Sequence, residues 1–549
     1  MKLNKGICIV AMVLLLSGCS EPSTAQITPN PSAPPTMTPL PTRTRTKSLF
    51  PATPTNQTPL PSVTPTIFPP LRTNGPFLTY VQSAGDHLEI IFMDADGRGQ
   101  KSIPYPIKGT DIITLINPLS NVISPNGKWL AFYTGSAGES HGGHVGTDTA
   151  DLTLNLMNLS DGKVQVITPL LSKNYPDNFS QAAREINQHD VTVEDLQNAF
   201  IDGIQFSIAW SPDGRYLAFA GQMDGLSSDV YSYDISSETI QRLSSGTEEI
   251  QSIAWSSDSQ WVLESSAYYS GEGMHCDLFA TSLDGSTSRL LLHSTNDCGA
   301  GGIWLNKRSI FRSSQGNGIG TYGLLLVNVE TGGVTKVWDA NFTALSISSD
   351  QKLIAFYSNN ILPGMTQASN PAPPSCYIIN LAGMQVIKVK GSDENDFSKS
   401  GVGVQNMETL GASKDRMFIL RNENDGSLDY LSTDGILTPA GIQAINFSVA
   451  PDRQHWIAVG DHFQVYQADG TRVRDVDLPD LECPDGCGFW DRDFLWRPDS
   501  SGVFLLLENN RYKPDYPNHL YAMDLLSGGV HMVETEIWDY ANPVWILGQ

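Results

Sequence analysis

The densest set of metal-ligating side chains lies in 135–150, which reads Gly-Ser-Ala-Gly-Glu-Ser-His-Gly-Gly-His-Val-Gly-Thr-Asp-Thr-Ala. His141 and His144, with Glu139 and Asp148, are the imidazole and carboxylate types of a transition-metal site. No helix sets their spacing, and the surrounding glycines hold none of them in place. A solvated loop is therefore the preferred reading, and no metal or cofactor is expected. A second set, Tyr268, Tyr269, Glu272, Trp490, Asp491, Arg492, Tyr512 and Tyr516, puts aromatic rings beside polar groups, which suits contact with peptide or sugar. Packing on a rim is the alternative for the same residues.

Cysteine offers a third chemistry. Cys483 and Cys487 enclose Pro-Asp-Gly and could close a small disulfide loop, and Cys276 could meet Cys298 across neighbouring loops. Such bonds persist outside the cytoplasm. Zinc is disfavoured, because the Cys-x-x-x-Cys spacing has no second matching pair nearby. Cys376 is left over as a buried or free thiol. The chain has neither the His-Glu-x-x-His of a zinc helix nor the Gly-x-x-x-x-Gly-Lys-Ser/Thr of a phosphate loop, and no carboxylate pair is spaced to identify a glycosidase.

These residues need a scaffold, and a repeated phrase supplies it. Ile208-Ala-Trp-Ser-Pro-Asp-Gly-Arg-Tyr-Leu-Ala-Phe219 has close copies at 122–132, 253–263, 345–356, 447–458 and 494–504, and weaker ones centred on Asn306 and Lys414. Each copy reads as an inner strand, a tight turn and a second strand. In the turn, Pro fixes φ, Asp bonds the local backbone and Gly admits positive φ. Further Asp-Gly turns follow at Asp96, Asp161, Asp284, Asp434 and Asp469. Most copies are spaced like one four-stranded propeller blade.

On these residues the repeats resemble the TolB-like, WD-repeat-like β-propeller family over most of 76–548. The resemblance implies an all-β fold and no particular activity. The expected architecture is a single β-propeller of four-stranded antiparallel blades. Residues 77–105 start without an inner strand, and 541–547 look like the missing one, so the C-terminal strand should complete the first blade and close the ring. That composite brings the count to nine units, above the usual four to eight. Eight blades are preferred, with one weak copy discounted and seven to nine allowed; two stacked propellers are the alternative. Long inserts are expected on one face only, that of the second-to-third-strand loops and the connections between blades. One of them, 171–203, should carry a small helical stretch.

The N-terminal region is read separately. Lys2 and Lys5 precede an apolar run from Ile7 to Leu16, too short to span a bilayer as a mature helix. It ends in Leu16-Ser17-Gly18-Cys19, which resembles a bacterial lipobox. That resemblance implies cleavage of the 1–18 signal peptide, acylation of Cys19 and stable anchoring to the cell membrane, or to the outer membrane if the cell has one. Residues 19–72 form a Pro/Thr-rich linker: 14 of the 52 residues from Glu21 to Arg72 are Pro and 12 are Thr. Such a composition cannot offset its ordering entropy by burial. The remainder, 73–549, has 28 basic and 57 acidic residues, net −29, which would repel nucleic acid. The function expected is that of a non-catalytic, extracytoplasmic binding module for protein, peptide or glycan. A propeller enzyme of lyase, hydrolase or quinoprotein type, acting on extracellular polysaccharide or peptide, is the alternative, as is an envelope assembly factor.

Overall fold

The computed structural model describes 49–51 and, from 71 to 546, all residues but 73, 85–86, 105–121, 138–146, 173–206, 225–226, 247–248, 271–272, 296–301, 307–308, 314–320, 359–374, 391–403, 412, 423–424, 461, 477–493, 508–517 and 538–542. The named elements are all strands. They build nine antiparallel blades, one more than the preferred count. Both weak copies are genuine blades. The fifth comprises Ile303–Asn306, Ser309–Ser313, Thr321–Asn328 and the start of Val334–Ile347; the seventh comprises Val404–Thr409, Phe418–Asn422, Ser427–Leu431 and Leu437–Gln443. Their strands kept the apolar alternation while the first turn lost its Pro-Asp-Gly. The turn phrase therefore undercounts what strand pairing maintains.

The other blades follow the repeated phrase. The second holds Trp129–Ala137, Thr147–Asn158 and Val164–Pro169, its inner position marked by the single bridge between Ile123 and Leu130. The third is Ile208–Trp210, Tyr216–Gly221, Asp229–Asp234 and Thr239–Arg242, with Leu49–Pro51 lying antiparallel along its outer edge. The fourth is Glu249–Trp255, Trp261–Ser270, Gly273–Ser282 and Ser288–Thr295. The sixth takes its inner strand from the far end of Val334–Ile347, so one unbroken strand leaves the fifth blade and enters the next. The eighth begins with Asn446–Val449, and the ninth runs from Phe494–Trp496 to Val530–Ile537. Phe77–Ala84, His87–Asp94 and Gln100–Pro104 form the first blade. Val544–Ile546 pairs with Phe77, Leu78 and Thr79 as its inner strand, so strands from both ends of the ring share one sheet.

Packing shows that the ring is closed. Successive side chains on a strand point to opposite faces. Leu217 and Phe219 pack toward the second blade, while Ala218 and Ala220 on the same strand pack toward the fourth. Every seam has such an apolar layer, including that between the ninth and first blades, where Phe504 and Leu520 meet Leu78, Tyr80 and Trp545. Phe219, Trp456 and Tyr80 are fully buried in these layers.

The turns between first and second strands repeat one hydrogen-bond set. In the third blade Ser211 Oγ donates to Asp213 Oδ1 at 2.6 Å, Arg215 N–H donates to the same oxygen, and Tyr216 N–H donates to Ser211 Oγ at 2.9 Å. Gly214 closes the turn at φ +68°, which costs an L side chain about 1 kcal/mol. Ser256 with Asp258 and Ser348 with Asp350 repeat the arrangement. Neighbouring turns are also tied: Asp213 N–H donates to Ser259 Oγ, and Asp452 N–H to Ser500 Oγ.

Candidate functional site

The inner strands line the central channel, and their side chains at the last strand pair before the first turn differ around the ring. Where that residue is Trp, the indole bolts its blade to the preceding one. Trp210 Nε1 donates to Val122 O at 2.8 Å, Trp255 Nε1 to Ala209 O at 2.9 Å and Trp496 Nε1 to Ser448 Oγ at 3.0 Å. In the sixth, seventh and eighth blades the same place holds Ile347, Thr409 and Val449. Smaller polar links replace the indole there. Thr409 Oγ1 donates to Ile347 O at 2.7 Å and lies 2.9 Å from Ser346 Oγ, while Val449 N–H donates to Glu408 Oε2 at 2.8 Å.

Beside these smaller residues lies a cavity of about 310 Å³ at the short-turn end of the channel wall. Ser346, Met407, Glu408, Thr409, Ala450 and Arg453 are among the residues lining it. Met407, Thr409 and Ala450 are buried, whereas Glu408 and Arg453 are partly exposed. Arg453 occupies the turn position that Gly214 holds in the third blade, and does so at φ +59°. Among the described residues no hydrogen bond or ion pair engages its guanidinium. A second hollow of about 420 Å³, less open than the first, lies farther out on the same face, between Asp415, Arg416 and Asp469.

A buried ionic cluster occupies the opposite end of the third-to-fourth-blade seam. Arg242 contacts both Asp229 and Asp224, the second at 3.1 Å; Gly246 N–H donates to Asp229 Oδ1, and Tyr231 OH donates to Asp224. From the fourth blade, Glu249 Oε2 accepts Ser228 N–H at 3.0 Å, and Ile250 N–H donates to Ser228 Oγ at 2.7 Å. Among the described residues, Glu249 Oε1 has no hydrogen-bond partner. Burial pushes the Glu249 carboxyl up to about 7 against the Ser228 hydrogen bonds, and pushes Asp229 up to about 8 against the pull of Arg242. Nothing in the sequence announces this cluster, since its members share no motif and meet only through the blade seam. The tight interblade hydrogen bonds mark it as a weld between two sheets.

Most residues singled out from sequence lie outside the described part: Cys19, His141, His144, Glu272, Cys298, Cys483, Cys487, Trp490, Arg492, Tyr512 and Tyr516, together with nearly all of 171–203. Tyr268 and Tyr269 fall on the strand Trp261–Ser270, paired with His275 and Met274. Cys276 is buried and disulfide-bonded; the partner expected for it, Cys298, is among the residues not described. Cys376 is a fully buried thiol whose pKa burial raises to about 12, so it is no nucleophile. One motif escaped the sequence reading: Gly138-Glu-Ser-His-Gly142 has the Gly-x-Ser-x-Gly spacing of a hydrolase nucleophile elbow. That elbow requires a strand-to-helix turn. The motif lies outside the described residues, between Trp129–Ala137 and Thr147–Asn158, which are antiparallel neighbours in one blade and not a strand followed by a helix.

No family model and no curated protein matches the chain. Solved structures do match. Oligogalacturonate lyase from Vibrio parahaemolyticus aligns at 12% identity and TM-score 0.34, covering 78% of this chain and 93% of the lyase. The β-propeller domain of the Trilobed protease from Pyrococcus furiosus aligns at 14% and 0.29, covering 76% and 95%. TolB from Acinetobacter baumannii aligns at 11% and 0.26, covering 76% and 83%. The fold itself stands on the strand pairing and seam packing above.

Proposed function

We propose that this protein is a non-catalytic binding module, held outside the cell membrane by a lipid on Cys19, that presents one propeller face to a protein, peptide or glycan. The supporting observation is the distribution of chain length between strands. First-to-second and third-to-fourth connections are short turns throughout. Connections of the other class include 138–146, 359–374 and 508–517 within blades, and 173–206, 391–403 and 477–493 between them. Alternating strand direction puts all of this second class at one end of every blade. A rigid ring with its variable chain gathered at one end is the arrangement by which scaffolds carry binding loops. The acidic surface favours a basic or neutral ligand over a polyanion.

The test is capture from envelope extracts, together with peptide and glycan arrays, using the purified full chain. Specific binding is expected. It should be lost when 359–374 and 508–517 are each replaced by a two-residue Asn-Gly turn, with the thermal transition unchanged. Binding that survives both replacements, or a substrate turned over by the wild type, would count against the reading. Mass spectrometry of the membrane-extracted protein should find a diacylglyceryl or triacyl group on Cys19, and Cys19→Ala should release the protein from membranes.

A further inference from the structure

The cavity at the short-turn end of the channel belongs to neither the long-connection face nor the buried weld. It lies where three consecutive blades carry Ile347, Thr409 and Val449 in place of the tryptophan that bolts the third, fourth and ninth blades. Its wall combines a half-buried guanidinium without a described partner (Arg453), a carboxylate (Glu408) and the hydroxyls of Ser346 and Thr409, above an apolar floor of Met407 and Ala450. No ion pair joins Glu408 to Arg453. Arg453 is held in the left-handed backbone region, where the equivalent residues are Gly127 and Gly214 in the second and third blades and Ser259, Gln351 and Ser500 in the fourth, sixth and ninth. The recurring turn explains that conformation, but it does not call for a cation.

We propose that this cavity binds a small zwitterion, a free α-amino acid or a dipeptide, with the ligand carboxylate on Arg453 and its ammonium toward the Glu408 wall. A guanidinium fork matches a carboxylate in two parallel hydrogen bonds. A pure anion would meet Glu408 and the net negative surface, and a pure cation would meet Arg453, so a ligand carrying both charges is favoured over either. At a liquid share of about 30 Å³ per water, the cavity replaces roughly ten waters, which is the scale of such a ligand.

Two substitutions probe the site from different directions. Thr409→Trp restores the side chain found at this position in the third, fourth and ninth blades. Its Nε1 can reach Ser346 Oγ as Trp496 reaches Ser448 Oγ, since the two serines hold the same place in their blades. The ring then fills the cavity. Arg453→Gly removes the guanidinium and relieves the left-handed backbone, so it should fold even if the tryptophan variant does not. The full chain is titrated calorimetrically with the twenty L-amino acids, Gly-Gly and Ala-Ala, with acetate and methylammonium as single-charge probes. At least one zwitterion should bind ten-fold or more tighter than either single-charge probe. Arg453→Gly should weaken it at least ten-fold, and Thr409→Trp, if folded, should abolish it. The proposal is overturned if no zwitterion binds, if acetate binds as tightly, or if binding in Arg453→Gly equals that of the wild type.

Discussion

The seam between the third and fourth blades and that between the seventh and eighth solve one problem in opposite ways. At the first, Trp255 is nearly buried, stacks on Tyr216 at 6.2 Å and bonds Ala209 O, so one side chain fills the channel wall and joins two sheets. At the second, Val449 fills far less space, and the join passes to Glu408 through a backbone N–H. The second seam compensates farther out, where Trp456 is fully buried and stacks on Tyr466 at 4.3 Å. Apolar bulk has moved from the channel to mid-blade, and a polar cavity remains where the indole would have been. A propeller can thus vary its channel without losing a seam, because stability and channel lining come from different strands.

The largest expected contrast comes from truncating the two equivalent inner-strand residues. Trp255→Ala leaves a ring-sized hole and an unpaired carbonyl, and should cost about 3–5 kcal/mol, whereas Val449→Ala beside an existing cavity should cost about 1 kcal/mol. Urea midpoints of the two variants check this. Equal losses would mean that the indole is not what holds the tryptophan seam.

The buried weld gives the third-to-fourth seam a pH dependence through Glu249. Glu249 titrates near 4.5, the ordinary carboxyl value, when unfolded and at about 7 when folded. The folded state therefore keeps the proton over that interval. The stabilisation is complete below about pH 4.5, falls as pH rises toward 7, and is gone above it. At ~1.36 kcal/mol per pH unit the whole swing is roughly 3 kcal/mol. Glu249→Gln keeps the shape and carries no charge. Its melting temperature should fall less than that of the wild type between pH 5 and pH 8, and at pH 8 should exceed it. Parallel pH profiles for the two proteins would show that Glu249 is ionised in the folded state and that its burial is not what the seam senses.

How much of this was legible depends on whether a feature repeats. The Ser-Pro-Asp-Gly turn recurs, so the blades, their antiparallel order and the closing strand at Val544–Ile546 could be read from residue types. The count fell short because the turns just after Asn306 and around Lys414 lost the phrase while Ser309–Ser313 and Phe418–Asn422 kept their alternation. The indole bolts were half-visible: Trp210, Trp255 and Trp496 stand at one place in the repeat, but their carbonyl and hydroxyl acceptors belong to the preceding blade. The acidic weld and the cavity could not be read at all. Asp229, Arg242 and Glu249 acquire meaning only when two sheets meet, and the cavity shows only once Ile347, Thr409 and Val449 are brought side by side.

A smaller effect separates the polar links. Thr409→Val preserves volume and deletes the hydroxyl that donates to Ile347 O and lies against Ser346 Oγ. Leaving those buried groups unpaired should cost about 1–2 kcal/mol. The same change at Thr438, on the outer strand Leu437–Gln443 of that blade, should be near neutral. Comparable losses at both positions would mean that residue type, rather than the seam, sets the cost.

The smallest contrast concerns the backbone of equivalent turns. Gly214 at φ +68° has ordinary clearance for a Cβ, the nearest atom being 3.6 Å away, so Gly214→Ala adds left-handed strain and no clash. It should destabilise by about 1 kcal/mol. Arg453→Gly makes the reverse exchange at φ +59°. Relief of strain there is partly cancelled by the greater freedom of Gly in the unfolded chain, so a gain of less than about 1 kcal/mol is expected. Opposite signs in the two urea midpoints would show that Arg453, like Ser259, Gln351 and Ser500 at the equivalent place, is held at a cost in stability. A loss in both would place the guanidinium among the groups that hold the turn together.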